Sequence, residues 1–377
     1  MKKKILIITT RPILPLDGGD KVRIYYLSKE LSKFFELDLI YAGPKQSQKI
    51  IEDTKIFNSV ISFPIKRVDV LRNLLCLTFS KIPFQTSFFV NNKLKNKIKE
   101  NVHMYDYILP HLFRSAVMVP DSQNDKVIFE ACDSIGLAIS RIKKIDSLKT
   151  LFFKIDEKRI KQIENYFINK YEKNIFINKE DSDYLELNKK NNIKIITNGK
   201  FIEKIQPVFL ENFKSDKILF IGNMSTYPNK QAVEFLIDFI KVNTKYKLVL
   251  AGKGSNKYRN FSNVISIDNF ENLSKLNNLR IFAGIAPMFL GSGVQNKILD
   301  YLNLSIPCLA TPVGASGLHN ENPLITFNDQ SQLLDKLDKL KLSYEYYNQI
   351  SDKGVKYLNK HHSWESIGKL YADYISQ

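Results

Sequence analysis

The segment Ala286-Pro-Met-Phe-Leu-Gly291-Ser292-Gly293-Val-Gln-Asn-Lys297-Ile-Leu-Asp300 decides most of the fold assignment. An apolar run ends in a glycine loop, and the loop leads into a helical pattern with a lysine in its first turns. This is the strand, turn and helix of a parallel α/β layer. Glycine amides, the positive end of the helix and the Lys297 ammonium converge at the loop, which is the chemistry that holds a diphosphate. Asp300 stands about two helical turns beyond Gly293, where a carboxylate accepts hydrogen bonds from ribose hydroxyls.

The same rhythm extends in both directions. Toward the C-terminus, Ile306 to Thr311 reads as the next strand and ends in a second glycine loop, Pro312-Val-Gly314-Ala-Ser-Gly317-Leu318, on the same side. Pro323 to Phe327 follows. Upstream, Lys217 to Gly222, Leu248 to Gly252, Val264 to Ile267 and Ile281 to Pro287 are short apolar runs, and Val233, Leu236, Ile237 and Ile240 between the first two share a helical face. The first half has its own series: Lys4 to Thr9, Glu36 to Tyr41, Val60 to Pro64, Tyr105 to Pro110, Lys126 to Glu130, Asn174 to Asn178 and Ile193 to Ile196. Two α/β sheets in series, joined near Asn198 to Asp216, are the economical arrangement. With 377 residues against a typical ~150 per domain, two domains are also the expectation from length.

Composition narrows the function classes. Apolar residues make up 44% and charged residues 25%, so the chain is a folded one. Lys and Arg number 56 against 39 Asp and Glu, a net charge of +17 that favours a polyanion or an anionic membrane as partner. Cys76, Cys132 and Cys308 are far apart with no neighbouring His in sequence, so neither a zinc module nor a disulfide framework is expected. Met1 to Lys4 followed by Ile5 to Ile8 imitates a signal peptide, but Thr9, Thr10 and Arg11 end the apolar run early, and the segment reads as a buried strand. No apolar run approaches the ~18 residues of a transmembrane helix. A nucleic-acid-binding protein is the alternative from a different class. It lacks support from an aromatic RNA-binding strand or a concentrated basic tail.

With the second glycine loop and Lys297 in place, the chain resembles family 4 glycosyltransferases. Their corresponding stretch runs through a glycine loop, a lysine, an acidic residue and a turn similar to Pro312 to Leu318. Phe220-Ile-Gly-Asn-Met-Ser-Thr-Tyr-Pro-Asn229 looks like the family's phosphate-side loop, and His362-Ser-Trp-Glu365 like its C-terminal "SWE" segment. In the first half, Gly18-Gly19 after the opening strand and Asn198-Gly199 before the linker also agree. The resemblance implies a GT-B enzyme of α/β class with two Rossmann-like, doubly wound domains. Residues 1–200 would form the acceptor-side domain and 201–360 the nucleotide-sugar domain, with a helix over 361–377 crossing back to the first. It implies a metal-independent, retaining hexosyltransferase that moves a sugar from a nucleotide-sugar to a glycan or lipid-linked acceptor in cell-surface polysaccharide or lipopolysaccharide biosynthesis. No cofactor and no resident metal are expected. Another GT-B reaction, such as epimerisation of a nucleotide-sugar, is the same-fold alternative.

Carried over by position, Lys297, Lys230 and Asn223 would neutralise the diphosphate. Asp300 would hold the ribose, and Gly18, Gly19, Gly291, Ser292, Gly293, Gly314, Gly317 and Leu318 would line the donor. The family's paired glutamates align with Ser292 and Asp300, a departure that affects recognition of the sugar hydroxyls. His111, at the end of the Tyr105 to Pro110 strand, is a catalytic candidate because a His at that place in the resembling family contacts the transferred sugar. Arg23, Arg114 and Asp133 are acceptor-side candidates, and Asp20 is placed as a helix cap. Asp181-Ser182-Asp183 imitates a metal-binding D-x-D but reads more simply as the acidic N-terminus of a helix. His361 and His362 are adjacent, not one turn apart, and border a helix cap at Ser363. The basic and apolar stretch Lys66 to Phe89, with Lys93, Lys95, Lys97, Lys99 and Arg141 to Lys161, has the composition of a lipid-interface surface. A peripheral protein on the cytoplasmic face of a membrane is the expectation.

Overall fold

The computed structural model describes residues 2–16, 19–44, 55–77, 83–140, 148–185, 193–203, 209–269, 272–289 and 294–377. The chain divides into two compact units, unit 1 (residues 1–199 and 367–377) and unit 2 (residues 200–366).

Unit 1 contains β1 (Lys4–Thr9), β2 (Glu36–Ala42), β3 (Ser59–Phe63), β4 (Tyr107–Pro110), β5 (Ile128–Cys132), β6 (Lys173–Phe176) and β7 (Ile193–Ile195). The first four pair in the order β3-β2-β1-β4 and the last three as β5-β6-β7. Single parallel bridges, Ile108 to Val127 and His111 to Glu130, link β4 to β5. All pairings are parallel, and β1 runs beside β2 from Lys4 opposite Glu36 to Thr9 opposite Tyr41. A parallel sheet covered by helices on both faces needs strands that are apolar throughout, and this is why Ile5, Ile7 and Ile8 are fully buried.

Unit 2 contains β8 (Lys217–Ile221), β9 (Lys247–Ala251), β10 (Val264–Ile267), β11 (Ala283–Ala286), β12 (Cys308–Ala310) and β13 (Ile325–Thr326), in the order β10-β9-β8-β11-β12-β13. The core packs Leu219, Phe220, Val249, Leu250 and Ile285 of the sheet against Leu236, Phe239 and Ile240 of the helix Tyr227–Val242 and Leu299 and Leu302 of the helix Asn296–Asn303. The strands expected from the apolar runs are present in both units. Their paired cores are shorter than the runs at β11 and β13, where the flanking residues Ile281, Phe282 and Phe327 are buried without belonging to a strand.

Local signals account for several helix starts. Asn178 caps the helix Lys179–Asp183 by accepting from the Asp181 amide at 2.9 Å, so the Asp181 to Asp183 stretch is a helix N-terminus, as its composition implies. Ser363 caps the helix Trp364–Ser376 through the Ser366 amide at 3.1 Å. Asp20 differs from its expected place. The helix opens at Gly19, so Asp20 lies in the first turn and pairs with Arg11 rather than capping. Among the described residues no helix is long and apolar enough to cross a membrane.

Candidate functional site

In unit 2, numbering the strands by their order in the chain gives the arrangement 3-2-1-4-5-6, which reverses direction between β8 and β11. At such a reversal the two following helices leave on opposite faces, and a crevice opens beyond the carboxyl ends of the strands. β8 and β11 pair at Ile218 with Ala283 and Leu219 with Gly284. Beyond that the Tyr301 hydroxyl sits between them. It accepts from the Ile221 amide at 3.0 Å and donates to the Ile285 carbonyl at 3.2 Å. The ring can enter only because residue 284 is glycine, since a Cβ there would lie 2.2 Å from the ring.

Lys297 belongs to the same helix and points into this reversal. Its Nζ donates to Asn229 Oδ1 at 2.7 Å and to Met288 Sδ at 3.0 Å, and stands 4.5 Å from the centroid of the Phe220 ring. It is 8% exposed, and among the described residues no carboxylate pairs with it. Burial alone lowers its pKa to about 8. Asn229 is held in turn by donating to the Asn223 carbonyl at 2.9 Å, and it packs where a Cβ on residue 222 would intrude at 2.8 Å. The helix Tyr227–Val242 opens beside it after Thr226, which makes no side-chain cap bond, so the Tyr227 and Asn229 amides keep donors for an anion, Pro228 between them having none.

The other donor-side candidates are distributed around this point. Asn223 is exposed, and its side chain accepts from the Ser225 amide at 2.9 Å. Lys230 is exposed in the first turn of the Tyr227–Val242 helix, and its side chain is not brought into the Lys297 cluster. Asp300 is largely buried and paired with Lys200 at 2.6 Å; burial raises its pKa against the pull of Lys200. Gly314 is buried in the short helix Pro312–Ala315, whose amide at Gly314 donates to Thr311 Oγ1 at 3.3 Å. Gly317 is half-buried and Leu318 is 9% exposed. Gly19 opens the first helix with free space around it. Gly18, Gly291, Ser292 and Gly293 lie outside the described residues.

In unit 1 the candidates meet at the carboxyl ends of β4 and β5. His111 is 3% exposed, with Nδ1 3.5 Å from Cys132 Sγ and no partner for Nε2 among the described residues. Burial, only partly opposed by Glu130 and Asp20, lowers its pKa to about 4, so the ring is neutral at pH 7. Leu112 and Cys132, the residues beside it, both take left-handed φ angles, +67° and +59°. Such strain is maintained only where the surroundings enforce it. Arg114 donates to Gln85 Oε1 at 2.9 Å and lies over the Phe89 and Phe113 rings, with its pKa lowered to about 10 by burial. Asp133 is exposed; desolvation and the Asp181 carboxylate raise its pKa to about 6.

Arg23 is not at the surface where an acceptor-side role would place it. It is 1% exposed, and its guanidinium donates to Glu130 Oε1 at 2.7 Å, the Ile196 and Thr197 carbonyls at 3.1 Å and Asn198 Oδ1 at 3.0 Å. Burial pushes the Glu130 carboxyl up, but Arg23 and His111 overcome it and hold it below its ordinary value. The second Glu130 oxygen accepts from the Tyr371 hydroxyl. Arg23 therefore organises unit 1 from within.

Among the described residues two groups of potential metal ligands come together: His111, Glu130 and Cys132, and His319, Glu321 and His361, with ligand atoms within 4.8 Å in each. His111 and Cys132 are 21 positions apart in sequence and meet only through the neighbouring strands β4 and β5. Arg23 already occupies Glu130 in the first group, and Lys360 pairs with Glu321 at 2.9 Å in the second. Asn229, which accepts from Lys297, and Tyr301, which bridges β8 and β11, are neighbours of the site that the sequence does not single out. Asn229 ends the quoted phosphate-side loop, and Tyr301 directly follows Asp300, but only their contacts reveal what they do.

Residues 215–341, about a third of the chain, match the family profile described as "Glycosyl transferases group 1". No curated protein matches the sequence. Solved structures align over the whole chain at low identity. The HepE protein of Anabaena in complex with UDP and glucose aligns with a TM-score of 0.61, 12% identity and 99% of both chains covered. A glycosyltransferase from Rickettsia africae gives 0.64 at 12% identity, covering 100% of this chain and 98% of that one. The lipopolysaccharide outer core galactosyltransferase WaaB in its apo form gives 0.61 at 12% identity, covering 99% and 100%. At this identity the likeness concerns the fold, and the fold is GT-B, with two Rossmann-like domains.

Proposed function

We propose that the chain is a glycosyltransferase that takes a sugar from a nucleoside diphosphate sugar held by unit 2. One observation carries the reading. A buried ammonium with no carboxylate partner among the described residues stands at the strand-order reversal, beside an open helix N-terminus. As the bond from sugar to diphosphate breaks, negative charge grows on the departing phosphate while the sugar becomes oxocarbenium-like. Lys297 and the first amides of the Tyr227–Val242 helix are fixed in advance to meet that charge. They do so without the reorganisation that water requires. The match of residues 215–341 to a glycosyltransferase family and the UDP carried by HepE support the donor class.

The finer reading follows the resemblance to family 4. The transfer retains anomeric configuration, and Lys297 acts where other enzymes use a divalent cation. Lys230 and Asn223 assist at the phosphates. Asp300 exchanges its bond with Lys200 for the ribose hydroxyls, and Gly291, Ser292 and Gly293, with Gly314, Gly317 and Leu318, line the donor. In unit 1 the open Nε2 of the neutral His111 is assigned to a hydroxyl of the transferred sugar. Arg114 and Asp133 are assigned to the acceptor, a glycan or lipid-linked sugar of cell-surface polysaccharide or lipopolysaccharide synthesis. The protein works on the cytoplasmic side against an anionic membrane surface, consistent with its +17 charge.

The test incubates the full chain with UDP-, GDP-, ADP- and CMP-sugars in EDTA, first for thermal shift and then for transfer to a lipid-linked acceptor. We expect one nucleotide class to raise the melting temperature, and the product anomer, read by NMR, to match the donor. Absence of any nucleotide shift would remove the donor site. Loss of transfer in EDTA would reject the metal-free chemistry.

A further inference from the structure

The helix Arg67–Leu77 in unit 1 carries its apolar residues outward. Val68 is 73% exposed, Leu71 62% and Leu75 73%. At about 100° per residue, these three fall within an arc of about 60°. Arg72 lies about 40° beyond one edge of that arc and Arg67 about 40° beyond the other. The opposite face is anchored. Asn73 is buried and donates to the Ser87 and Val90 carbonyls at 3.1 and 2.8 Å. The acid of the helix, Asp69, is engaged away from the stripe, accepting from the Lys66 amide at 3.2 Å and pairing with Arg72 at 3.1 Å. The helix is thus fixed with its apolar stripe toward solvent and a cation on each side of it.

Three large apolar side chains held in water on one helix face mark an interaction surface. The flanking charge selects the occupant. A second copy of this chain would bring the same two arginines and the same +17 net charge to the contact, so like charges would oppose it. An anionic bilayer meets both demands at once, because hydrocarbon takes the stripe while phosphate headgroups take the guanidinium groups on either side. We propose that the helix Arg67–Leu77 is the element that lays unit 1 on an anionic lipid surface, with Val68, Leu71 and Leu75 immersed and Arg67 and Arg72 at the headgroups. This deepens the membrane part of the function proposed above and rests on it; the donor site is separate.

The experiment is flotation of the full chain with vesicles of phosphatidylcholine, with or without a third of phosphatidylglycerol. It compares the parent with Val68→Ser/Leu71→Ser/Leu75→Ser and with Arg67→Gln/Arg72→Gln. All five positions are solvated, so circular dichroism and nucleotide binding are expected to match the parent in both variants. The serine variant should bind anionic vesicles at least about tenfold more weakly. Each arginine removed should cost about fivefold at low salt, and binding should weaken with added salt. Serine-variant binding equal to the parent's would overturn the assignment of this helix while leaving membrane contact elsewhere intact. No binding of the parent to anionic vesicles at low salt would overturn the membrane reading itself, and equal binding to neutral vesicles would overturn the role of the arginines. A parent dimer in sedimentation that the serine variant abolishes would give the face to a second copy. Binding by the parent of any nucleotide in the thermal-shift panel tests the donor reading independently of all of these.

Discussion

Arg23 in unit 1 and Lys297 in unit 2 are both withdrawn from water, at 1% and 8% exposure, yet their surroundings are opposite. Arg23 has a carboxylate at 2.7 Å and three further acceptors, and the ionised Glu130 raises the guanidinium's pKa against burial. Lys297 has an amide oxygen, a thioether sulfur and an aromatic face, and nothing raises its pKa against burial. A buried charge with its partner supplied by the fold is complete and belongs to the architecture. A buried amine whose counter-charge is missing carries an uncompensated desolvation cost on the order of 3 kcal/mol, which an anionic ligand would offset. The contrast separates a cation completed by the fold from one the fold leaves without a counter-charge, and the proposed function rests on the second, although both are basic residues near glycine loops in the sequence.

Substitution of Arg23 should give the largest effect. Arg23→Met leaves Glu130 charged and buried, and we expect a loss of about 3–5 kcal/mol in urea unfolding. Adding Glu130→Leu should restore most of it. If Arg23→Met unfolds like the parent but loses transfer, the division drawn above is reversed. Next comes Lys297→Ala, for which kcat should fall by about 10²–10³ with unfolding unchanged or slightly improved. Equal loss of stability and activity would place Lys297 with Arg23.

A smaller effect comes from pH and sharpens the comparison at Lys297 alone. The folded-state pKa of about 8 lies below the ordinary lysine value of 10.5. Between those two pH values the unfolded chain holds a proton that the folded one has released, so the stability of the parent relative to Lys297→Met should rise across that window. Affinity for the nucleotide that the thermal-shift panel selects should move the opposite way, weakening by at most about tenfold per pH unit above pH 8 as the ammonium is lost. In Lys297→Ala both slopes should be absent, with affinity read by calorimetry and stability by urea. A slope that persists in that variant would assign the titration to another group.

The fold was legible because parallel strands covered on both faces must be apolar end to end, and runs such as Lys217 to Gly222 stand out for that reason. Lys297 was legible because one short segment holds the strand end, the glycine loop and the helix start together. Arg23 was not, since the residue that completes it, Glu130, is 107 positions away and meets it only through the folded sheet. The pairing of His111 with Cys132 was hidden in the same way, by the neighbouring positions of β4 and β5. Asn229 was hidden because its role depends on a glycine at 222 that lets it approach. The stripe on Arg67–Leu77 showed as composition in the sequence, but which way it faces is set by Asn73.

The hydrogen bonds of Arg23 and Glu130 have a consequence for how the two units can be exchanged. Arg23 holds Ile196, Thr197 and Asn198, where the chain leaves unit 1, and Glu130 holds Tyr371, after the chain has returned to it. Departure and return are fastened at a single knot. A chimaera that grafts a foreign second half from residue 200 to its end therefore succeeds only if the graft keeps residues 367–377 of this chain, or brings a hydroxyl to position 371. Modularity in this protein is set by eleven residues at the far end of the chain as much as by the linker.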